Sequence, residues 1–138
     1  VHVANGRAMI QSDNGLFVVE RGSVLPDNSR VVAIEYNGAL YLSGQLPVDP
    51  VSGKIPENIE DQTQQALENV RLILTEAGSA MDRVLSMRLY ISDIALWSSV
   101  NQVYATFLGE HKPARAIIPT RDLHHGCLIE IEVVAVCE

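Results

Sequence analysis

VVAIEYNGALYLSG, residues 31–44, sets an Asn37-Gly38 pair between two runs of apolar, β-branched and aromatic residues. Asn and Gly tolerate the positive φ that both corners of a type I′ turn demand, and that turn matches the twist of the strands it joins. The stretch is therefore read as a two-residue β-hairpin.

Working outward, QLPVDPVSGKIPEN (45–58) is a connection rich in Pro and Gly. Asn58, with Asp61 three residues on, opens a helix by capping its first free N–H groups. Ile59, Ala66, Leu67, Val70, Ile73, Leu74 and Ala77 then recur at threes and fours as one apolar stripe. Gly78 stands where a left-handed stop belongs, so the helix has about five turns. VLSMRLYIS (84–92) alternates, which predicts a strand with Leu85, Met87, Leu89 and Ile91 on one face and Ser86, Arg88 and Tyr90 on the other. A second helix carries Trp97, Val100, Tyr104 and Phe107 at helical spacing before Gly109, and the aromatic pair Trp97 and Tyr104 reads as core. RAIIP (115–119) and CLIEIEVVAV (127–136) supply the last two strands.

Upstream, RAMIQSDNGLFVVE (7–20) fits a small hairpin around Asp13-Asn14-Gly15, and GSVLPDNS (22–29) is turn chemistry. Residues 1–29 are read as an amino-terminal extension to a domain spanning 30–138. The order β-β-α-β-α-β-β gives an α+β domain with its two helices on one face of a mixed sheet. The opposite face is then either solvated or buried in an oligomer.

A chain of 138 residues, 47% of them hydrophobic, suits one globular domain. The formal charge of −7 repels phosphate backbones, and no basic run offsets it locally, so nucleic acid is a disfavoured partner. Cys127 and Cys137 would lie about 33 Å apart on a regular strand, beyond disulfide reach, and read as thiols of a reducing compartment. No apolar run approaches the ~18 residues of a membrane span, and no charged-then-apolar leader is visible. A cytoplasmic protein is expected, and Val1 in place of Met reads as a trimmed end.

HKPARAIIPT (111–120) places Arg115 directly before an apolar run that looks like the start of a buried strand. Buried arginine needs an anion. In IEIEVVA (129–135) the period of two puts Glu130 and Glu132 on one face, about 6.6 Å apart, so either is available as partner. One reading is a structural salt bridge; the other is a site where Arg115 grips a carboxylate with its planar fork and a glutamate handles protons. Ser43 to Gln45 end a strand and could offer N–H groups to an anion, though a plain turn explains them as well. His124-His125 resembles a metal pair, but adjacent histidines on an extended chain point to opposite sides and no third ligand is spaced to help, so no metal is expected. No dinucleotide, P-loop or nucleophile-elbow motif occurs, and no cofactor is implied.

Taken together, YLSGQLPVDPVSGKI, DQTQQALENVRLIL with its following EAG, SDIALWSSVNQVYATF, HKPAR and LIEIEVVAV, in that order, resemble the Rid (YjgF) family over residues 30–136. The resemblance implies a chorismate-mutase-like fold (Bacillus type) and a homotrimer whose sheets enclose a barrel, with clefts between subunits. It also implies cofactor-independent hydrolysis of reactive 2-imino acids to 2-oxo acids and ammonia. On that likeness Arg115 binds the substrate carboxylate, Glu130 orients or activates water, and Asn101, Trp97, Ser43 and Gly44 line the cleft. Two positions depart from the pattern: Arg30 stands at a family tyrosine, and Ile117 where a cysteine is common. The alternatives are a non-catalytic trimer that binds a small carboxylic acid and, less in keeping with the charge, an RNA-cleaving or translation-inhibiting relative.

Overall fold

The computed structural model describes residues 6–20 and 28–137. The expected turn at 22–29 lies mostly outside the described residues. Strands β1 (Arg7–Ser12), β2 (Gly15–Glu20), β3 (Arg30–Tyr36), β4 (Ala39–Gln45), β5 (Val84–Ile91), β6 (Ala114–Pro119) and β7 (Ile129–Val136) form one sheet. Helices α1 (Ile59–Glu76) and α2 (Trp97–Leu108) pack on one face of it. The strand order is β2-β1-β3-β4-β7-β5-β6. Among the described strands only β5 and β6 run parallel, with α2 as the crossover that a parallel pair requires. The remaining neighbours are antiparallel, so the sheet is mixed, as expected.

Local chemistry builds these elements as the residues predict. Asn37 and Gly38 both take positive φ, 52° and 80°, between the paired Tyr36 and Ala39, and close the two-residue turn. The Asn58 Oδ1 accepts from the Asp61 N–H at 2.8 Å, while its amide donates to the Asp61 carboxylate at 2.9 Å. At the far end the Ser79 N–H reaches the Leu74 carbonyl and the Gly78 N–H that of Thr75. That pairing is a Schellman stop, and it needs the left-handed Gly78, whose φ is 80°.

The core lies between the helices and the sheet. Ala66, Leu67, Val70 and Leu74 of α1 and Val100 of α2 are sealed from solvent against Met87, Leu89, Ile129 and Ile131. Two buried amides of α1 tie loops to this core. Gln62 donates to the Pro56 carbonyl and accepts from the Leu128 N–H, both at 2.8 Å. Asn69 donates to the carbonyls of Leu46 and Val48, anchoring the Pro/Gly-rich connection over the sheet end.

The alternation expected in β5 fails at its start. Val84 pairs with Ala135 and Ser86 with Val134, so one residue is extra and the bulge turns Leu85 outward, leaving it 52% exposed. Val84 takes its place in the core. The strand around Arg115 is also not a buried one. β6 is the sheet edge, and Ala114, Arg115 and Ala116 are exposed. At the other edge the β1/β2 hairpin closes through Asp13 and Asn14 and pairs with β3, so this part of residues 1–29 continues the same sheet.

The face without helices is open, with an apolar patch at the β3/β4 end and the Arg88–Glu132 ion pair further along. Ile34 and Tyr41 sit opposite each other there, with Tyr36 beside them, at 43%, 51% and 48% exposure.

Candidate functional site

The candidate residues fall into two groups. The first stands at the β6 edge. Paired β positions project to the same face, and Arg115 pairs with the buried Met87, so its side chain rises on the helix side. There its NH1 donates to the Asn101 Oδ1 at 2.6 Å. Its guanidinium carbon lies 4.6 Å from the centre of the Tyr104 ring and 5.7 Å from that of Trp97. Ile117, two residues on, is half-buried beside Leu89.

No carboxylate pairs with Arg115 among the described residues. The salt-bridge reading is therefore not what this chain builds. Glu132 turns instead to Arg88, at 3.3 Å on the exposed face, an ion pair of the kind that contributes ~0–1 kcal/mol. Arg115 escapes the cost of burial because it is exposed, and a neutral amide with two aromatic faces fixes its direction. Trp97 belongs to this platform, 37% exposed, and not to the core; Tyr104 does both jobs, buried on one side and stacked under the cation on the other. Burial pushes the Tyr104 phenol up, opposed by the positive charge of Arg115. Tyr104 was legible in the sequence only as core, because its spacing marks an inward face and says nothing of what lies over the ring.

The second group gathers where β4 meets β7. Leu42 pairs with Val133 and Gln45 with Ile131, leaving Ser43 and Gly44 together opposite one residue, a bulge. The Ser43 hydroxyl donates to the Val31 carbonyl at 3.1 Å. The Glu130 carboxylate lies over Gly44 so closely that a β-carbon there would collide with its Oε1 and stand 3.0 Å from its Cδ. Glu130 is half-buried, and no hydrogen bond or ion pair occupies its carboxylate among the described residues. Its charge reaches the nearby Cys127, a free buried thiol whose pKa is raised first by burial and then by Glu130.

Beside this bulge is a cavity of about 320 Å³, lined by Arg30, Gln11, Ser43, Gly44, His124 and His125 among others. The Arg30 Nε and NH2 both donate to the Gln11 Oε1, at 3.2 and 2.6 Å. His124 and His125 do not lie on an extended chain. They sit in a single turn of 3-10 helix, where the left-handed φ of 57° at His125 brings the two rings to 3.7 Å. No group of three metal-ligating side chains exists among the described residues.

Within one chain the two groups do not meet. Glu130 pairs with Tyr90 on the face away from the helices, whereas Arg115 pairs with Met87 on the helix side. Glu130 is also two strands away, across β5. One copy thus presents the exposed Arg115 at one edge and the Glu130 carboxylate beside a cavity elsewhere.

A family model described as Endoribonuclease L-PSP matches residues 24–137. The chain belongs to this family, the YjgF/Rid proteins. A RutC family protein of Pyrococcus horikoshii is 40% identical over 104 residues, which are 75% of this chain and 82% of that protein. TdcF of Escherichia coli, provisionally named a reactive intermediate deaminase, is 33% identical over 109 residues, covering 77% of this chain and 84% of its own. The crystal structure of E. coli TdcF with bound serine superposes with a TM-score of 0.75 at 32% identity, over 85% of this chain and 92% of that one. Yeast Mmf1 superposes with a TM-score of 0.77 at 30% identity, over 82% and 90%.

Proposed function

We propose that this protein hydrolyses 2-imino acids to 2-oxo acids and ammonia, without a cofactor, in a cleft that two copies of the chain complete. The observation that carries the reading is Arg115: a guanidinium aimed by Asn101 and two aromatic rings, with no carboxylate partner among the described residues. Such a planar fork suits a ligand carboxylate. The likeness to TdcF, whose crystal structure holds serine, an amino acid with a carboxylate, supports the same ligand chemistry.

For Arg115 and Glu130 to act on one substrate a second copy is needed, and the exposed apolar patch of Ile34, Tyr36 and Tyr41 offers a surface for one. A homotrimer in the cytoplasm is the assembly proposed. In the cleft, Arg115 of one copy holds the substrate carboxylate and Asn101 holds Arg115, while Ser43 and Gly44 of the next line the wall. Glu130 takes a proton from water as the water oxygen bonds to the carbon of the protonated imine, giving a tetrahedral aminoalcohol. Glu130 returns that proton to nitrogen. The C–N bond then breaks, ammonia leaves, and Glu130 takes the hydroxyl proton and passes it to the ammonia, leaving the 2-oxo acid.

A second reading is a trimer that binds small carboxylic acids without catalysis, favoured by the serine in the TdcF structure. RNA cleavage fits less well with a net charge of −7. The test generates 2-iminobutanoate with an amino-acid oxidase and follows 2-oxobutanoate formation. Acceleration by the protein in proportion to its concentration supports the hydrolase, whereas calorimetric binding of 2-oxobutanoate without acceleration leaves the binding module.

A further inference from the structure

The cavity beside Gly44 has walls unlike the rest of this acidic protein. Although acidic residues outnumber Lys and Arg by 17 to 10 in the chain, no carboxylate lines it, and Arg30, His124 and His125 do. Glu130 lies against Gly44 but is not part of the lining. Arg30 reaches the cavity from the first position of β3 and is itself exposed. Two of its N–H groups converge on one oxygen of Gln11, which fixes the guanidinium in place. Of the five donors a guanidinium carries, three then have no partner among the described residues. A fixed cation with spare donors, in a cavity of about 320 Å³ whose lining carries no carboxylate, suits an anion.

That anion is not the one Arg115 takes. Arg30 and Arg115 belong to strands four places apart in the sheet, so about 19 Å separates their strands at ~4.8 Å per spacing. No small acid spans this within one copy. Ser43 and Gly44 line both this cavity and the wall of the two-copy cleft proposed above, so in that cleft the Arg30 of one chain would face the ligand held by the Arg115 of the next.

We propose that Arg30 forms a second anion subsite that selects 2-imino and 2-oxo acids bearing an acidic side chain, a specificity resting on the two-copy cleft proposed above. Arg115 takes the carboxylate next to the reacting carbon. Arg30 takes the one at the far end of the side chain, and Gln11 positions Arg30.

The test is isothermal calorimetry on the full chain with two ligands of equal shape: 2-oxopentanedioate, and 5-methyl-2-oxohexanoate, in which an isopropyl group replaces the distal carboxylate. The dicarboxylate should bind roughly tenfold or more tightly than the monocarboxylate, as a charge-assisted fork implies. In Arg30→Gln the ratio of the two affinities should fall to within about twofold, and in Arg30→Lys, which keeps charge but not the fork, to an intermediate value. Equal affinities in the native chain, or a ratio unchanged in Arg30→Gln with a native circular dichroism spectrum, would overturn the subsite while leaving the imine hydrolase standing. Binding of neither acid would overturn both, because Arg115 would then have no carboxylate to hold.

Discussion

Replacing Gly44 with alanine tests whether the placement of Glu130 matters to turnover, separately from the stability of the fold. The added β-carbon would collide with the Glu130 Oε1 and crowd its Cδ and Cγ, at 3.0 and 3.2 Å, while meeting no backbone atom among its three nearest neighbours. Gly44 does not adopt a left-handed φ, so alanine suits its backbone. The obstacle is the end of a flexible side chain, which yields by rotating. Forcing Glu130 off its preferred rotamer costs about 0.5–1.5 kcal/mol, and the lower chain entropy of unfolded alanine returns about 0.4–1 kcal/mol. The net change in stability is thus within about 1 kcal/mol. At an unfolding entropy of ~2.1 cal/mol/K per residue, that is a shift of no more than about 4 °C in Tm for a chain of this length. Turnover should respond far more strongly, because displacing a reacting group by ~1 Å can cost about a hundredfold. A thermal melt paired with the coupled oxidase assay reads both quantities on one preparation. Near-native melting with near-native turnover would refute the role given to Glu130, and loss of folding would show that the bulge itself, and not the carboxylate above it, demands glycine.

Arg115→Ala loses one hydrogen bond and one stacked ring pair, about 1–2 kcal/mol, well below the ~3–5 kcal/mol of a broken buried ion pair. Both Arg115→Ala and Arg115→Lys should melt close to the native chain and lose most 2-oxo-acid affinity in calorimetry; native affinity in either would refute the anchor. Light scattering at micromolar concentration should return three times the 15.1 kDa chain mass, and a monomer would remove the two-copy cleft. The Cys127 thiol and the Tyr104 phenol both have folded pKa values raised above their ordinary ones, chiefly by burial. The folded chain therefore holds these protons after the unfolded chain has released them, and this part of the stability is lost as pH rises past about 9. Urea midpoints at pH 8 and pH 10 should show the decline, and Cys127→Ala should make it shallower; an unchanged slope would refute the thiol's share.

Sequence alone determined what neighbours along the chain decide. Asn37-Gly38 closes its hairpin, Asn58 caps α1 and Gly78 ends it because each of these contacts spans only a few residues. The α1 stripe and the period of two in β7 likewise reveal which residues face inward, since both patterns are set by backbone geometry. The likeness in YLSGQ, HKPAR and LIEIE carried the family with it. Tertiary structure decided which surface each inward or outward residue meets. Register comes from pairing between distant strands, and one extra residue reverses every face after it, which is how Leu85 left the core and how Ser43 and Gly44 came to form a bulge beside Glu130. The strand order set Arg115 at an edge, within reach of Asn101 and on the face opposite Glu130, although the two look like natural partners when read along the chain. A left-handed His125 and the Gln11–Arg30 contact arise the same way, from where the folded chain carries a residue once its own neighbours have fixed only its local shape.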